Sequence, residues 1–336
     1  MATITVSTRN ELLNAIRNPA YETGDVINAT AVGGNNRLPS GTYDGNGVTV
    51  RTNTRKQEFL RLEQSGTTLR NLVLEGDKTD VIRRDGLWDY RDGASAWATA
   101  AEGIGIRTSD ALIENVACHG WTHAGIKVGA TGGARYTPTI RGCDLSDNNA
   151  RALGYGISIY SGFPTIEWCW FDNNRHDVAT NGARNTGYHT RYNHIGPRGR
   201  LYGFEAHDPG GDHVIIEQNT FEDKRNPAGS RRSLIVNRGT PAKDCLVADN
   251  WFKGQMTTSL LGDSQARYTF RNNHVGPSAP PAGVGQPARG GDGSGGESPD
   301  ESSLLWDWSV LDRGRRRAIA QQLGETVESI RTLANS

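Results

Sequence analysis

A six-residue pattern returns through the middle of the chain at a nearly constant interval. Aligned without gaps, its copies are Leu69-Arg-Asn-Leu-Val-Leu74, Ile113-Glu-Asn-Val-Ala-Cys118, Ile140-Arg-Gly-Cys-Asp-Leu145, Ile166-Glu-Trp-Cys-Trp-Phe171, Thr190-Arg-Tyr-Asn-His-Ile195, Ile216-Glu-Gln-Asn-Thr-Phe221, Val247-Ala-Asp-Asn-Trp-Phe252 and Phe270-Arg-Asn-Asn-His-Val275. From Ile113 onward the starting positions advance by 27, 26, 24, 26, 31 and 23 residues. A unit this short cannot bury its own apolar side, so a fixed period in this range implies stacked repeats that share one continuous core. The first and sixth positions are apolar in almost every copy and are the candidates for that core. The fourth position reads Leu72, Val116, Cys143, Cys169, then Asn193, Asn219, Asn250, Asn273. Asparagines at one offset in successive turns predict an internal ladder, each amide bonding its neighbour and the turn backbone.

A second series interleaves with the first: Gly103–Arg107, Gly125–Gly129, Gly156–Tyr160, Asp177–Asn181, Gly203–His207, Ser233–Asn237 and Ser259–Asp263. Strand alternation places the second and fourth residues of each inward and the third and fifth outward. Two to three short strands per 23- to 31-residue turn describe an all-β, parallel β-helix solenoid. The low apolar fraction, 35%, and the 42 glycines fit its many turns. Thr8-Arg-Asn-Glu11 is a capping box followed by Leu12, Leu13 and Ile16, which predicts a short N-terminal helix over the open end of the first coil. The expected organisation is a capping segment over 1–23, the β-helix over 24–276, a Gly/Pro/Ser-rich linker over 277–303 and a helical docking segment over 304–336. The insertion between Thr79 and Thr99, rich in Trp, Arg and Asp, is long enough to expect a functional role.

Basic and acidic residues number 37 each, so nothing in the charge balance calls for nucleic acid. No apolar run is long enough to span a bilayer. Met1-Ala-Thr-Ile-Thr-Val6 does not read as a signal peptide. The four cysteines form no Cys-x-x-Cys pair; Cys143 and Cys169 are expected as stacked buried thiols, and no metal or other cofactor is expected. The C-terminal Ile319-Ala-Gln-Gln-Leu-Gly324 spacing has a helix-turn-helix character, but a third helix is missing. A helical hairpin for docking or oligomerisation is the preferred reading.

The outward positions of the second series form one stripe containing Lys127, Tyr160, Asn181, Glu205, His207, Asn237 and Asp263, with His176, Asp177 and Arg238 beside it. Parallel strands lie about 4.8 Å apart, so these residues become neighbours. Such a face suits a sugar chain, with Lys and Arg meeting uronate carboxylates.

Within it, Tyr202-Gly-Phe-Glu-Ala-His-Asp208 resembles the Tyr-Gly-Phe-Asp-Pro-His motif of mannuronan C5-epimerases and related alginate lyases, members of the right-handed, pectate-lyase-like β-helix superfamily. Glu205 stands where that motif has Asp, and Ala206 where it has Pro. The resemblance implies proton abstraction beside a carboxylate, with Tyr202 and His207 as the acid/base pair and Glu205 assisting. Lys127 or Arg238 would neutralise the substrate carboxylate. Tyr160, His176, Asp177, Asn181, Asn237 and Arg238 complete the expected substrate-binding set with Lys127.

The chain is also similar to phage tailspike-type β-helix proteins, which implies a glycan-recognising spike or attachment component on a virion or cell surface. The absence of a leader, the linker and the C-terminal helices favour that reading, with docking into a homo-oligomer or larger assembly. The alternative is a lyase or C5-epimerase acting on uronate-containing polysaccharide.

Overall fold

The computed structural model describes residues 1–286 except 56, 78–80, 85–86, 91–99, 227 and 263–266; side chains of 81–90 are likewise outside the description. Asp263, most of the 79–99 insertion, the linker beyond 286 and the 304–336 segment therefore lie outside the described residues.

The chain winds into parallel coils. One nine-stranded parallel sheet carries Asn36–Leu38, Glu58–Leu62, Glu102–Ile106, Ala124–Val128, Tyr155–Ile159, Asn174–Thr180, Gly199–Ala206, Ile235–Asn237 and Thr258–Leu260, stacked in chain order. The remaining coil strands pair in parallel around the other sides. An antiparallel pair, Val81–Arg84 with Leu87–Tyr90, stands within the insertion. This is the parallel β-helix expected from the repeat.

Register follows the six-residue pattern position by position. Ile113, Ile140, Ile166, Thr190, Ile216, Val247 and Phe270 pair in succession, as do Cys118, Leu145, Phe171, Ile195, Phe221, Phe252 and Val275. Both columns are fully buried up to Phe252. Only Phe270 and Val275, in the last described coil, are exposed. Burying each Phe or Ile contributes about 2 kcal/mol before entropy is charged against it.

The third position of the pattern has a physical role of its own. Asn71, Asn115, Trp168, Tyr192, Gln218, Asp249 and Asn272 all have φ between 48° and 57°, and Gly142 has φ 61°. A left-handed residue here bends each coil between its two strand segments, which is why asparagine, aspartate and glycine recur at the position.

The fourth position forms the predicted ladder. Asn219 accepts from the Asn193 backbone N–H (3.0 Å) and amide (2.9 Å), and donates to Thr190 O (3.0 Å) and Asn250 Oδ1 (3.1 Å). Asn250 repeats this with Asn273. The Cys143 and Cys169 thiols take over lower down, each 3.7 Å from a carbonyl of the preceding coil. All four cysteines are free and buried.

Helix Arg9–Ile16 forms with its capping box: Glu11 N–H donates to Thr8 Oγ1 at 3.2 Å, and Thr8 N–H to Glu11 Oε2 at 3.2 Å. Leu12, Leu13 and Ile16 are buried against the first coil. Strand Thr3–Thr5, ahead of the helix, already pairs with Val26–Asn28. At the other end, the described start of the linker folds back along the protein's own coils. Gly285 N–H donates to Asp249 O (2.7 Å), Gln286 N–H to Thr220 Oγ1 (3.0 Å), and Val284 is buried.

Candidate functional site: the face of the nine-stranded sheet

Beyond simple alternation, three columns of this sheet face outward. One runs Glu58, Glu102, Ala124, Tyr155, His176, Tyr202; the next Arg61, Gly105, Lys127, Ser158, Ala179, Glu205, Val236. The third, two residues further along each strand, runs Glu63, Arg107, Gly129, Tyr160, Asn181, His207, Arg238. Between the first two columns the chain turns a corner, and the residues there point inward.

Two ion clusters occupy the face. In the first, Glu58 receives Arg61 Nε at 2.6 Å and Arg107 Nη2 at 2.9 Å. Lys127 Nζ lies 3.0 Å from Glu102 Oε1 and 3.6 Å from Glu58 Oε1. A Cβ on residue 105 would lie 2.4 Å from Glu58 Cδ, so Gly105 is what lets the Glu58 side chain lie across the strand. Glu102 also meets His123 Nδ1 at 2.5 Å, and His123 Nε2 is 3.3 Å from Tyr160 Oη. Burial alone would raise the Glu102 pKa, but His123 and Lys127 outweigh it and hold the carboxyl below its ordinary value. Burial pushes the Tyr160 phenol up to about 12, with Tyr155 and Glu102 adding to the rise.

The second cluster surrounds Glu205, whose side chain is fully buried. Arg238 Nη2 approaches it at 2.5 Å, His176 Nδ1 at 2.6 Å and His207 Nε2 at 3.3 Å. The imidazole contacts are short, but neither has the angles of a hydrogen bond; the separations still govern the electrostatics. Burial would raise the Glu205 pKa, and the two imidazoles overcome it, leaving the carboxylate ionised well below the usual range. His176, wholly enclosed, is lowered to about 4 by burial against the opposing pull of Glu205, so it is neutral at neutral pH. Tyr155 stacks on its ring at 5.2 Å and 18°, and Tyr202 tilts over it at 5.3 Å and 59°.

The face therefore brings together Lys127, Tyr160, Tyr202, Glu205, His207 and Arg238, with His176 beneath them. Tyr202 lies within strand Gly199–Ala206 rather than ahead of it, paired with His176. Two expected binding residues are elsewhere. Asp177 points inward, where it accepts from Lys224 Nζ (2.7 Å) and Asn174 Nδ2 (3.1 Å), all fully buried. It lies between the first two columns, at the position held by Gly103, Gly125, Gly156 and Gly203 in the other strands, where the corner turns residues inward and simple alternation fails. Asn237 also points inward, its amide 3.2 Å from Cys245 Sγ. Ile235, not Leu234, pairs with Phe204, and in the all-apolar run Leu234-Ile-Val236 alternation carries no signal for register. Asn181 sits at the face, yet its amide is taken up by Tyr160 O (3.2 Å) and Ala183 N–H (3.1 Å).

Sequence reasoning missed Glu58, Glu102, His123 and Tyr155. Extending the second series one residue upstream would have exposed the Glu102, Tyr155, His176, Tyr202 column, which Glu58 continues. His123 carried no such signal, because it precedes its strand.

A concavity of about 650 Å³ lies at another corner, lined by residues including Arg51, Arg55, Glu75, Asp77 and His119. Its arginines are paired, Arg51 with Glu75 at 2.6 Å and Arg55 with Asp77 at 3.4 Å. The chemistry-bearing groups sit instead on the face of the nine-stranded sheet. Among the described residues, no group of three or more His, Cys, Asp or Glu is placed to hold a metal ion, and no helix is long and apolar enough to cross a membrane.

The sequence profile described as "Right handed beta helix region" matches residues 98–275, just over half the chain. The chain belongs to the right-handed β-helix family. No curated protein matches it. Among solved structures, this β-helix is similar to "Structure of PL6 family alginate lyase AlyGC", at 13% identity and a TM-score of 0.24, over 81% of this chain and 51% of that one. The chain thus spans about half the length of that structure.

Proposed function

We propose that the face of this β-helix binds an acidic polysaccharide and supports proton transfer at the carbon beside a uronate carboxylate. One observation carries the reading: the acids lie beneath and the bases above. Glu58, Glu102 and Glu205 side chains are 2%, 6% and 0% exposed, whereas Lys127, Arg107 and Arg238 are 19%, 28% and 40% exposed. Glu63, at the edge, is the partly exposed acid, at 22%. A sugar chain laid on the sheet would meet cations first, and guanidinium and ammonium groups are the partners of choice for carboxylates.

Tyr160, Tyr202 and His207 supply phenol and imidazole groups beside those cations, the side-chain types that remove and return protons. A surface or virion attachment role, recognising glycan without turnover, uses the same face and is the second reading; its docking segment lies beyond the described residues.

The test is to incubate the full chain with polymannuronate, polyguluronate and polygalacturonate, following binding by calorimetry and turnover by ultraviolet absorbance of an unsaturated product. Binding with new absorbance supports the reading. Failure to bind any acidic polymer, while a neutral glucan binds, would overturn it.

A further inference from the structure

Glu102, His123 and Tyr160 form an unbroken hydrogen-bonded line that ends at the face, and the motif around Glu205 does not contain it. A carboxylate only accepts hydrogen bonds, so the 2.5 Å contact assigns the proton to His123 Nδ1. Nε2 is left as an acceptor, facing Tyr160 Oη at 3.3 Å. His123 is buried and edge-on to both Tyr155 (5.7 Å) and Tyr160 (5.9 Å), which fixes its ring. Tyr160 is partly exposed at the outward end of its strand, and Lys127 Nζ lies 5.2 Å from its ring centre. This is a nucleophile-and-base arrangement in general form: a reacting oxygen, an imidazole behind it, and a carboxylate orienting the imidazole. The Glu205 cluster has short contacts but no such hydrogen-bonded line.

We propose that Tyr160, backed by His123 and oriented by Glu102, is the proton-abstracting group of this face, with Lys127 meeting the uronate carboxylate. The proposal rests on the acidic-polysaccharide reading above. In the step, the C5–H bond breaks and its proton passes to Tyr160 Oη, while the Tyr160 proton passes to His123 Nε2. The electron pair of the C5–H bond moves into the substrate carboxylate, whose added charge Lys127 faces. Glu102 holds the resulting imidazolium, so a free phenolate never forms. Protonation of C5 from the opposite face by a solvent proton gives epimerisation. In elimination the pair held in the carboxylate returns to form the C4–C5 double bond, the C4 oxygen leaves with its bonding pair, and the proton held by the relay passes to that oxygen. Tyr160 and His207 occupy the same column two strands apart, roughly 10 Å. The Glu205 cluster, through Arg238 and His207, would then hold a neighbouring sugar while Tyr160 reacts.

The experiment uses the full chain and the same three polyuronates in deuterated buffer. It reads C5 deuterium by NMR, unsaturated product by absorbance and affinity by calorimetry, with near-ultraviolet circular dichroism to check each variant's fold. The expected result is a loss of about a hundredfold in rate for Tyr160→Phe, with affinity within about twofold. His123→Ala should lower kcat with little change in KM and regain rate when imidazole is added, which a merely structural histidine would not do. If Tyr160→Phe keeps its rate while Tyr202→Phe or His207→Ala loses it, the relay is wrong and the polysaccharide reading stands. Binding without exchange or elimination on any polymer would also overturn the relay and leave recognition. Absence of binding overturns both.

Discussion

The Arg238 guanidinium lies 2.5 Å from the Glu205 carboxylate, and the two differ completely in exposure: the acid is fully buried and the arginine is 40% exposed. The pair is a charge mounted on a buried counterion. Arg238→Ala should lower affinity for an acidic polysaccharide about tenfold, and wild-type binding should weaken as salt rises. Glu205→Gln, which leaves the cation in place, should retain binding. Calorimetry at two ionic strengths checks this; unchanged affinity in Arg238→Ala would remove that end of the face from recognition.

Acid should destabilise the fold through the same cluster. The unfolded His176 imidazole takes a proton near pH 6.5, while the folded one resists until about 4, so the unfolded state binds more protons in that window. Stability therefore falls as pH drops from about 6.5 to about 4, by up to roughly 3 kcal/mol. Glu205 acts in the same direction at lower pH, because its folded pKa is depressed and its contribution is lost as the carboxylate is protonated. Thermal melts across this range should show the slope in wild type and a flatter line in His176→Gln.

Asp177 and Lys224 form a fully buried pair at 2.7 Å. Lys224→Ala leaves a carboxylate enclosed without its partner and should cost about 3–5 kcal/mol in urea unfolding. Removing both charges, Asp177→Asn with Lys224→Met, should recover much of that loss. If either single variant folded normally yet bound polysaccharide poorly, Asp177 would be a ligand after all.

The asparagine ladder should be highly sensitive to truncation. Asn219→Ala strips partners from the Asn193 N–H, the Thr190 carbonyl and Asn250 Oδ1 at once. The expected loss is about 2–4 kcal/mol by chemical denaturation. A loss below that of an exposed control such as Asn46→Ala would contradict the ladder's structural role.

The repeat made most of the scaffold legible. In parallel, in-register coils, equal offsets in sequence become equal positions in space. The apolar columns from Leu69 to Phe252 and the Asn193–Asn273 ladder could therefore be read directly, and so could Lys127, Tyr160, Glu205 and His207 on one outward face. The capping box at Thr8 was equally plain, since it is local. Alternation stopped being informative where the backbone departs from it. The corner between the first two columns turned Asp177 inward, and the pairing of Ile235 with Phe204 set a register that buried Asn237.

What sequence by itself determined was the period, the core columns and the identity of the face. The tertiary structure decided which groups on that face touch: Arg238 on Glu205, and His123, from a loop, between Glu102 and Tyr160. Those contacts join residues 21 to 37 positions apart, and they depend on corner geometry and loop length, which a repeating pattern does not encode.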